Sequence, residues 1–508
     1  IFLAPHGMEQ FHLEIQNLYA ALAQPTEKLT VSYPVSDGKG AEKRPSFVIG
    51  RIARLLPSIS VETESADKEY RLSAKSTALE YAGEHIGGAL WQYFEGQGDA
   101  ERALAAMKDA SRYTRGHLSR DAVHALYGGA VTLSASRMDM ARSCHFAYFM
   151  RYGLKARERT GAGFDAPQIG TFVHDVMEHT LRQAKECGGL HTLSKDKLHA
   201  LVRASIEEYI DRVLPDLSEK SARFRYLFNR LCATVERIMD EVSEELQSSD
   251  FEPLAFELEF GADGQLPAIT IREENGTARV VGKVDRVDGW LHDGKLYLRV
   301  VDYKTGKKSF DLAELRYGLG LQMLLYLFTL KEEGQMLFGG HEIVPAGVLY
   351  TPAREPMLRC ARDTEPEKIE KALKKELRRS GMVLEDPAVL QAMEHSAIES
   401  PCYLPIAVKR DGAVTGSLAS AEQLGKLSKY VDHILHEITQ EVFAGNIDAD
   451  PYARTPQQSA CTYCEFASAC HFENGCGSDR MEYIKATKND EFWQYIDEVN
   501  GEGAHENG

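Results

Sequence analysis

Two carboxylates and an ammonium stand close together in the stretch Arg279–Lys308, RVVGKVDRVDGWLHDGKLYLRVVDYKTGKK. It reads as two β-like runs, Val280–Asp288 and Lys295–Tyr303, each apolar and β-branched with an acid near its C-terminal end. Asp293-Gly294 between them is a hairpin turn signal. Paired as a hairpin, the runs bring Asp285 near Asp302. Lys304, two residues on, shares the face of Asp302 because side chains alternate along a strand. Carboxylates are hard oxygen donors for a divalent cation. A cation with an ammonium beside it is the material of phosphodiester cleavage. Asp288 and Lys307 have equally suitable side chains.

The rest of the chain must position these groups. Phe251–Phe260 (FEPLAFELEF) has a strand pattern, with Glu257 and Glu259 on one face by period two. A role for Glu257 is left open, a solvated strand residue being the plain alternative. Ile169 to His179 opens an amphipathic helix that carries His174. Phe310–Lys331 reads as a helix with Gln322 and Tyr326 four apart, hence on one face. Further helices are expected around 198–214, 224–246, 366–379 and 419–442, and another strand over 343–351. Leu133-Ser-Ala-Ser136 reads as a strand end and N-cap leading into a helix.

A chain of 508 residues exceeds one core, so two or three domains are expected. Hydrophobic content of 43% and charged content of 27% are ordinary for a soluble globular protein. No apolar run is long enough for a membrane span, and no signal peptide is seen. The chain begins at Ile1 in mid-pattern, which suggests a fragment of something longer. A net charge of −17 argues against a protein that coats DNA electrostatically, while leaving room for a nuclease with a local groove. Nine cysteines without a secretory signal point to metal or cluster ligation rather than disulfides. Cys461, Cys464 and Cys470 form C-x2-C-x5-C. Zinc on these three with Cys476 is one reading of that motif. Cys144, Cys187, Cys232, Cys360 and Cys402 are isolated.

Taken in order, four short motifs resemble the RecB-type branch of the PD-(D/E)XK nucleases. They are Gly170-Thr-Phe-Val-His174, Gly282-Lys-Val-Asp-Arg-Val-Asp288, Asp302-Tyr-Lys-Thr-Gly306 and Gln322-Met-Leu-Leu-Tyr326. The resemblance is sharpest to the AddB family of bacterial AddAB helicase-nucleases. That family brackets its nuclease with a distant Cys, matched by Cys144, and a C-terminal C-x2-C-x5-C, matched by Cys461, Cys464 and Cys470. Glu14–Gln24, followed by Glu27–Tyr33, is similar to the last motif of superfamily I helicases, with Gln24 where those enzymes have Arg. No phosphate-binding loop occurs, so the chain alone is not expected to hydrolyse ATP.

The resemblance implies an α/β fold: a PD-(D/E)XK restriction-endonuclease-like core, a mixed β-sheet flanked by helices with an iron–sulfur staple, preceded by a remnant of a helicase-like α/β domain. The expected divisions are 1–60 (end of the helicase-like domain), 61–130 (helical connector), 131–487 (nuclease) and 488–508 (polar tail). His174, Asp285, Asp302 and the Tyr303 carbonyl would hold Mg2+, or Mn2+. Lys304 would act on the attacking water, and Gln322 and Tyr326 would position DNA or brace the wall, leaving Asp288 outward or structural and Lys307 a bystander. Cys144, Cys461, Cys464 and Cys470 would hold a [4Fe-4S] cluster, zinc remaining an alternative. Its closure of a long loop would restrict the unfolded chain by ~4–5 kcal/mol, by analogy with a disulfide. The implied function is a cytoplasmic, metal-dependent exonuclease component that cuts single strands produced by an AddA-type helicase-nuclease partner. It would act in double-strand break processing for recombination. The alternative is a non-catalytic DNA-binding, hotspot-reading scaffold of the same complex.

Overall fold

The structure is a computed structural model and describes residues 7–35, 42–59, 71–112, 114–157, 166–262, 264–356, 358–361, 364–455 and 457–501. It divides into two compact units, Ile1–Ser111 with Thr455–Ser459, and Arg112–Arg454 with Ala460–Gly508.

The first unit is helical among its described residues. Helices Lys75–Glu84, Ala89–Phe94 and Asp99–Ser111 close a small core of Ala78, Ala82, Trp91, Phe94, Ala100 and Leu104. Helix Gly7–Ala23 buries none of its residues. The strand expected over Glu27–Tyr33 does not form. These residues are almost all exposed, and no strand pairs with them among the described residues, so β-propensity has no sheet to act on.

The second unit is built mainly on two sheets, of six and three strands, with the short parallel pairing of Tyr452 with Glu482 and Ala453 with Tyr483 apart from them. Its strands are β1 (Ala130–Leu133), β2 (Glu252–Phe260), β3 (Ile269–Glu273), β4 (Gly276–Val280), β5 (Gly282–His292) and β6 (Lys295–Lys304). They continue with β7 (Glu342–Pro352), β8 (Ser380–Leu384), β9 (Ile406–Val408), β10 (Val414–Gly416) and β11 (Leu418–Ala419). The main sheet is mixed, in the order β11-β8-β7-β6-β5-β2, with β6 and β7 parallel at its centre. A smaller sheet has the order β1-β4-β3, and β9 and β10 pair with each other.

Seven helices of this unit matter most below: α1 (Ala135–Ser143), α2 (Ala166–Glu186), α3 (Lys195–Val213), α4 (Ala222–Gln247), α5 (Gln322–Glu333), α6 (Ala421–Phe443) and α7 (Asn489–Val499). Apolar residues from both sheets and from these helices share one core. Helix α5 lies against β6 and β7, and α2 lies against β2, α3 and α4. Helix Arg120–Tyr127, expected in the connector, belongs to this unit and buries Val123 in its core.

Three further elements differ from expectation. The run Val280–Asp288 is not one strand of one sheet. The chain passes from β4 to β5 through Val281 alone, whose N–H donates to the Leu133 carbonyl (2.9 Å). Two sheets therefore share one continuous stretch of backbone, which hydropathy along the chain does not mark. The helix expected over Phe310–Lys331 is two helices, Leu312–Arg316 and α5. Gly318 and Gly320 between them adopt φ of +74° and +68°, conformations that end a helix and suit glycine. The polar tail carries α7, whose Phe492, Trp493 and Ile496 are buried in the main core. Its apolar residues have helical spacing, and charged neighbours mask them in an average over the segment.

Candidate nuclease site

The hairpin at the centre of the sheet forms as its turn chemistry dictates. Asp293 and Gly294 adopt φ of +48° and +78°, and His292 pairs with Lys295 across them. Positive φ at both central residues is the type I′ geometry that matches strand twist. The register pairs Arg286 with Val301, so the next step along places Asp285 beside Asp302. The Tyr303 N–H donates to Asp285 Oδ2 (2.8 Å), and Lys304 Nζ lies 2.7 Å from Asp302 Oδ2.

Helix α2 brings in His174. Its Nε2 lies 2.9 Å from the Tyr303 carbonyl oxygen and its Nδ1 lies 3.4 Å from Asp285 Oδ2. The structure thus brings His174, Asp285 and the Tyr303 backbone together, with the Asp302–Lys304 pair near enough to act on them by charge. Among the described residues, the set whose ligand atoms all lie within 4.8 Å of one another is made of His174, Glu257 and Asp285, without Asp302. Burial alone would strip the proton from His174. The bond to Asp285 and the charges of Asp285 and Asp302 reverse this and lift it to about 9. Burial, then repulsion from Asp285, pushes the Asp302 carboxyl up to about 6, against the pull of Lys304 and His174. Both shifts report a shortage of positive charge. A divalent cation with oxygen ligands would relieve it.

Glu257 also reaches this place. Ligand atoms of His174, Glu257 and Asp285 lie within 4.8 Å of one another. Glu257 has φ +49°, the left-handed region where a side chain other than glycine is strained. Lys283 Nζ lies 2.7 Å from Glu257 Oε2 and 3.5 Å from Glu259 Oε1. Burial and the nearby Asp285 raise the Glu257 carboxyl, and Lys283 opposes that rise. In the sequence, period two puts Glu257 on the face of Glu259 but carries no signal that its backbone turns.

The opposite face of the catalytic strands is locked by buried charge. Asp288, expected to point outward or to be structural, is 0% exposed. It lies 2.8 Å from both Arg286 Nε and Arg299 Nε. Arg286 Nη1 donates to the Tyr303 hydroxyl (2.7 Å), and Arg379 Nη2 lies 2.6 Å from Glu245 Oε2. Burial opposes the Glu245 charge, but Arg379, Arg299 and Arg286 hold its carboxyl down to about 2. Unpairing any member would leave a naked buried charge, so this network fixes the strands that carry Asp285 and Asp302.

Gln322 and Tyr326 share a face of α5, and Gln322 Nε2 donates to the Tyr326 hydroxyl (3.2 Å). The Tyr326 ring is buried, packed edge-on against Phe260 at 5.0 Å between centroids. It offers no open face to a nucleobase. Gly282 fits here for a steric reason: a Cβ would lie 2.5 Å from both Phe260 Cζ and Tyr326 Cε1. The first residue of G-x-x-D and the last of Q-x-x-x-Y are thus two halves of one contact. Beside them opens a cleft of about 660 Å³. Its lining includes Ser134, Ser136, Asp139, Glu259, Lys283 and Gln322. Gly170 has no such role, since a Cβ there would meet only Thr305 Oγ1 at 4.0 Å.

The segments that carry the cysteines are tied together by other side chains. Cys144 is buried between α1 and the following turn, and Cys461, Cys464 and Cys470 are half-buried. Arg151 pairs with Glu465 (2.7 Å). Arg115 donates to the Cys470 carbonyl (2.9 Å), pairs with Asp479 (2.8 Å) and lies over the Phe146 ring at 4.5 Å. The chain after Cys144 and the chain around Cys470 are thereby held to each other. Burial pushes the Cys144 thiol up to about 12, with Asp450 and the Cys470 thiol near enough to add to the rise. Among the described residues, no three potential ligands in this corner come within 4.8 Å of one another. Cys476 is exposed.

The sequence profile of the PD-(D/E)XK nuclease superfamily matches residues 132–471. The chain belongs to that superfamily, and its mixed sheet is flanked by helices. Nucleases of this kind use divalent metals. Among relatives, it is similar to the B subunit of the ATP-dependent helicase/deoxyribonuclease of Ruminiclostridium cellulolyticum, with 29% identity over 95% of this chain and 44% of the relative. The proteins of the same name from Caldanaerobacter subterraneus subsp. tengcongensis (30%, 97% of this chain) and Acetivibrio thermocellus (31%, 94%) are each covered over 44% of their length. The chain therefore spans under half the length of these relatives. None of its described helices is long and apolar enough to cross a membrane.

Proposed function

We propose that this chain is the nuclease part of a helicase/deoxyribonuclease of the AddB family and hydrolyses phosphodiester bonds in single DNA strands as a Mg2+-dependent exonuclease. The observation that supports this reading is the meeting of His174, Asp285 and the Tyr303 carbonyl beside Asp302, with Lys304 at 2.7 Å from Asp302. Asp285, Asp302 and the Tyr303 carbonyl would hold Mg2+ by oxygen, and His174 would complete the set, which also suits Mn2+. The ion supplies charge neutralisation and Lewis-acid polarisation of the phosphate. Lys304, tethered to Asp302, orients the attacking water and compensates charge that develops on the phosphate oxygens. Gln322 and Tyr326 brace the cleft wall, and Gln322 is the member of the pair that reaches the strand.

The strands would come from an AddA-type motor partner at a cytoplasmic DNA break, as the relatives' name as one component of a helicase/deoxyribonuclease suggests. Intact Asp285, Asp302 and Lys304 favour this reading over a scaffold without catalysis. Asp302→Ala or Lys304→Ala is expected to abolish Mg2+-dependent cleavage of single-stranded DNA while circular dichroism stays unchanged. Undiminished cleavage in either variant would refute the assignment.

Cys144, Cys461, Cys464 and Cys470 are assigned to a [4Fe-4S] cluster that staples the two ends of the nuclease. A single zinc with Zn–S bonds of ~2.3 Å would bring its thiolates to ~3.8 Å from one another. A cubane cluster places each thiolate on a separate iron and needs no such contact. The assignment rests on the resemblance of Cys144 and the C-x2-C-x5-C motif to the AddB family, not on a cluster of thiols among the described residues. The purified protein is expected to be brown, with visible absorption that is lost in Cys461→Ser. A colourless protein with stoichiometric zinc would reverse this assignment.

A further inference from the structure

We infer that Glu257 is a further ligand of the cation site, and that Lys283 occupies its carboxylate as a tethered stand-in when the cation is away. The inference rests on the metal-site reading above and adds a residue from outside the four motifs. Glu257 puts a ligand atom within 4.8 Å of ligand atoms on both His174 and Asp285. Its side chain is only 12% exposed, where the neighbouring Glu259 is 54% exposed. The strand reaches this arrangement by taking φ to +49° at Glu257, although β2 pairs regularly with β5 on either side, at Phe256–Arg286 and Leu258–Val284. An ordinary extended residue would have served a solvated strand face.

Lys283 explains how such a carboxylate persists without a metal. Its Nζ lies 2.7 Å from Glu257 Oε2, on a side chain that is 48% exposed. The ammonium is thus on the solvent side of the acid and able to swing away along a flexible stem. Two positive charges cannot share one carboxylate at full strength, so an arriving divalent ion competes with Lys283. Lys283 already lines the cleft that Gln322 also lines, so once released it could meet a phosphate of the strand there. Binding of the cation and of the strand would then be linked through one side chain.

The test is Mn2+ binding to the full chain, measured by EPR of free Mn2+ and by calorimetry, independently of cleavage. Glu257→Gln is expected to weaken binding by about tenfold or more, the size of effect seen when a metal site loses a supporting group. Lys283→Ala is expected to act in the opposite direction, tightening binding by about threefold, the scale of a half-exposed ion pair. That gain should vanish in the double variant Glu257→Gln/Lys283→Ala, because the competed carboxylate is gone. Equal affinity in Glu257→Gln and the unaltered chain overturns the inference. So does a Lys283→Ala gain that survives in the double variant, which would mean long-range charge rather than competition. Asp302→Asn separates the metal site from the role of Glu257 within it. If that variant binds Mn2+ undiminished, the metal-site reading itself fails. If it loses Mn2+ while Glu257→Gln does not, only the role of Glu257 fails.

Discussion

Asp302 is buried beside another carboxylate and 2.7 Å from an ammonium, and the balance of those effects lifts its proton affinity to about 6. A cation and a proton cannot both occupy it. Affinity for Mn2+ is therefore expected to rise with pH up to about 9, where His174 gives up its proton, and to fall more steeply as pH drops through about 6, where an ordinary aspartate site would hold to nearer 4. Isothermal titration of Mn2+ across that range measures this, and a curve flat down to pH 5 would contradict it. His174 acts in the upper window. Asp285 and Asp302 keep its proton to about 9, so at neutral pH an arriving cation must displace that proton from the imidazole. At this scale much is legible in the sequence. Asp285, Asp302 and Lys304 follow from alternation along a hairpin, and His174 follows from the motif it closes. Glu257 is not legible, because its approach depends on one backbone angle that no residue type announces. For Asp288 the sequence leaves outward and structural readings open, and the arginines placed around it in space make it structural.

Elements carry the site through a few close contacts. Gly282 allows β5 to run under Phe260 and Tyr326 with no room for a methyl group. Gly282→Ala must push one ring aside in a packed interior, which is expected to cost about 1–3 kcal/mol. Urea unfolding checks this, and a change under about 0.5 kcal/mol, the usual range of surface substitutions, would show that the rings yield freely. Strands β6 and β7 and helices α2 to α4 and α6 can be read from the sequence because their apolar period is strong. Periodicity also joins Leu312–Arg316 to α5, since it runs through the glycines that separate them. The change of sheet at Val281 leaves no such trace, because the apolar run Val280–Val281 carries straight on into β5.

At the scale of the molecule, the second unit is closed by its own last helix. Phe492 on α7 is 0% exposed and belongs to the same core as the catalytic sheet. Phe492→Ala is expected to destabilise this unit by about 3–5 kcal/mol, read as a lowered urea midpoint. An unchanged midpoint would mean that α7 docks without supporting the fold. In the sequence this helix is lost in a polar tail, because long-range packing decides whether a few apolar residues among acids are core or surface. The continuous backbone from β4 through Val281 to β5 has one more consequence. Val281 and Gly282 form part of the lining of the cleft, so that part is a single covalent ribbon shared by both sheets. At that wall the two sheets meet with no seam between separate pieces, and a shift of either sheet is passed to the other through covalent bonds and through the Val281–Leu133 hydrogen bond.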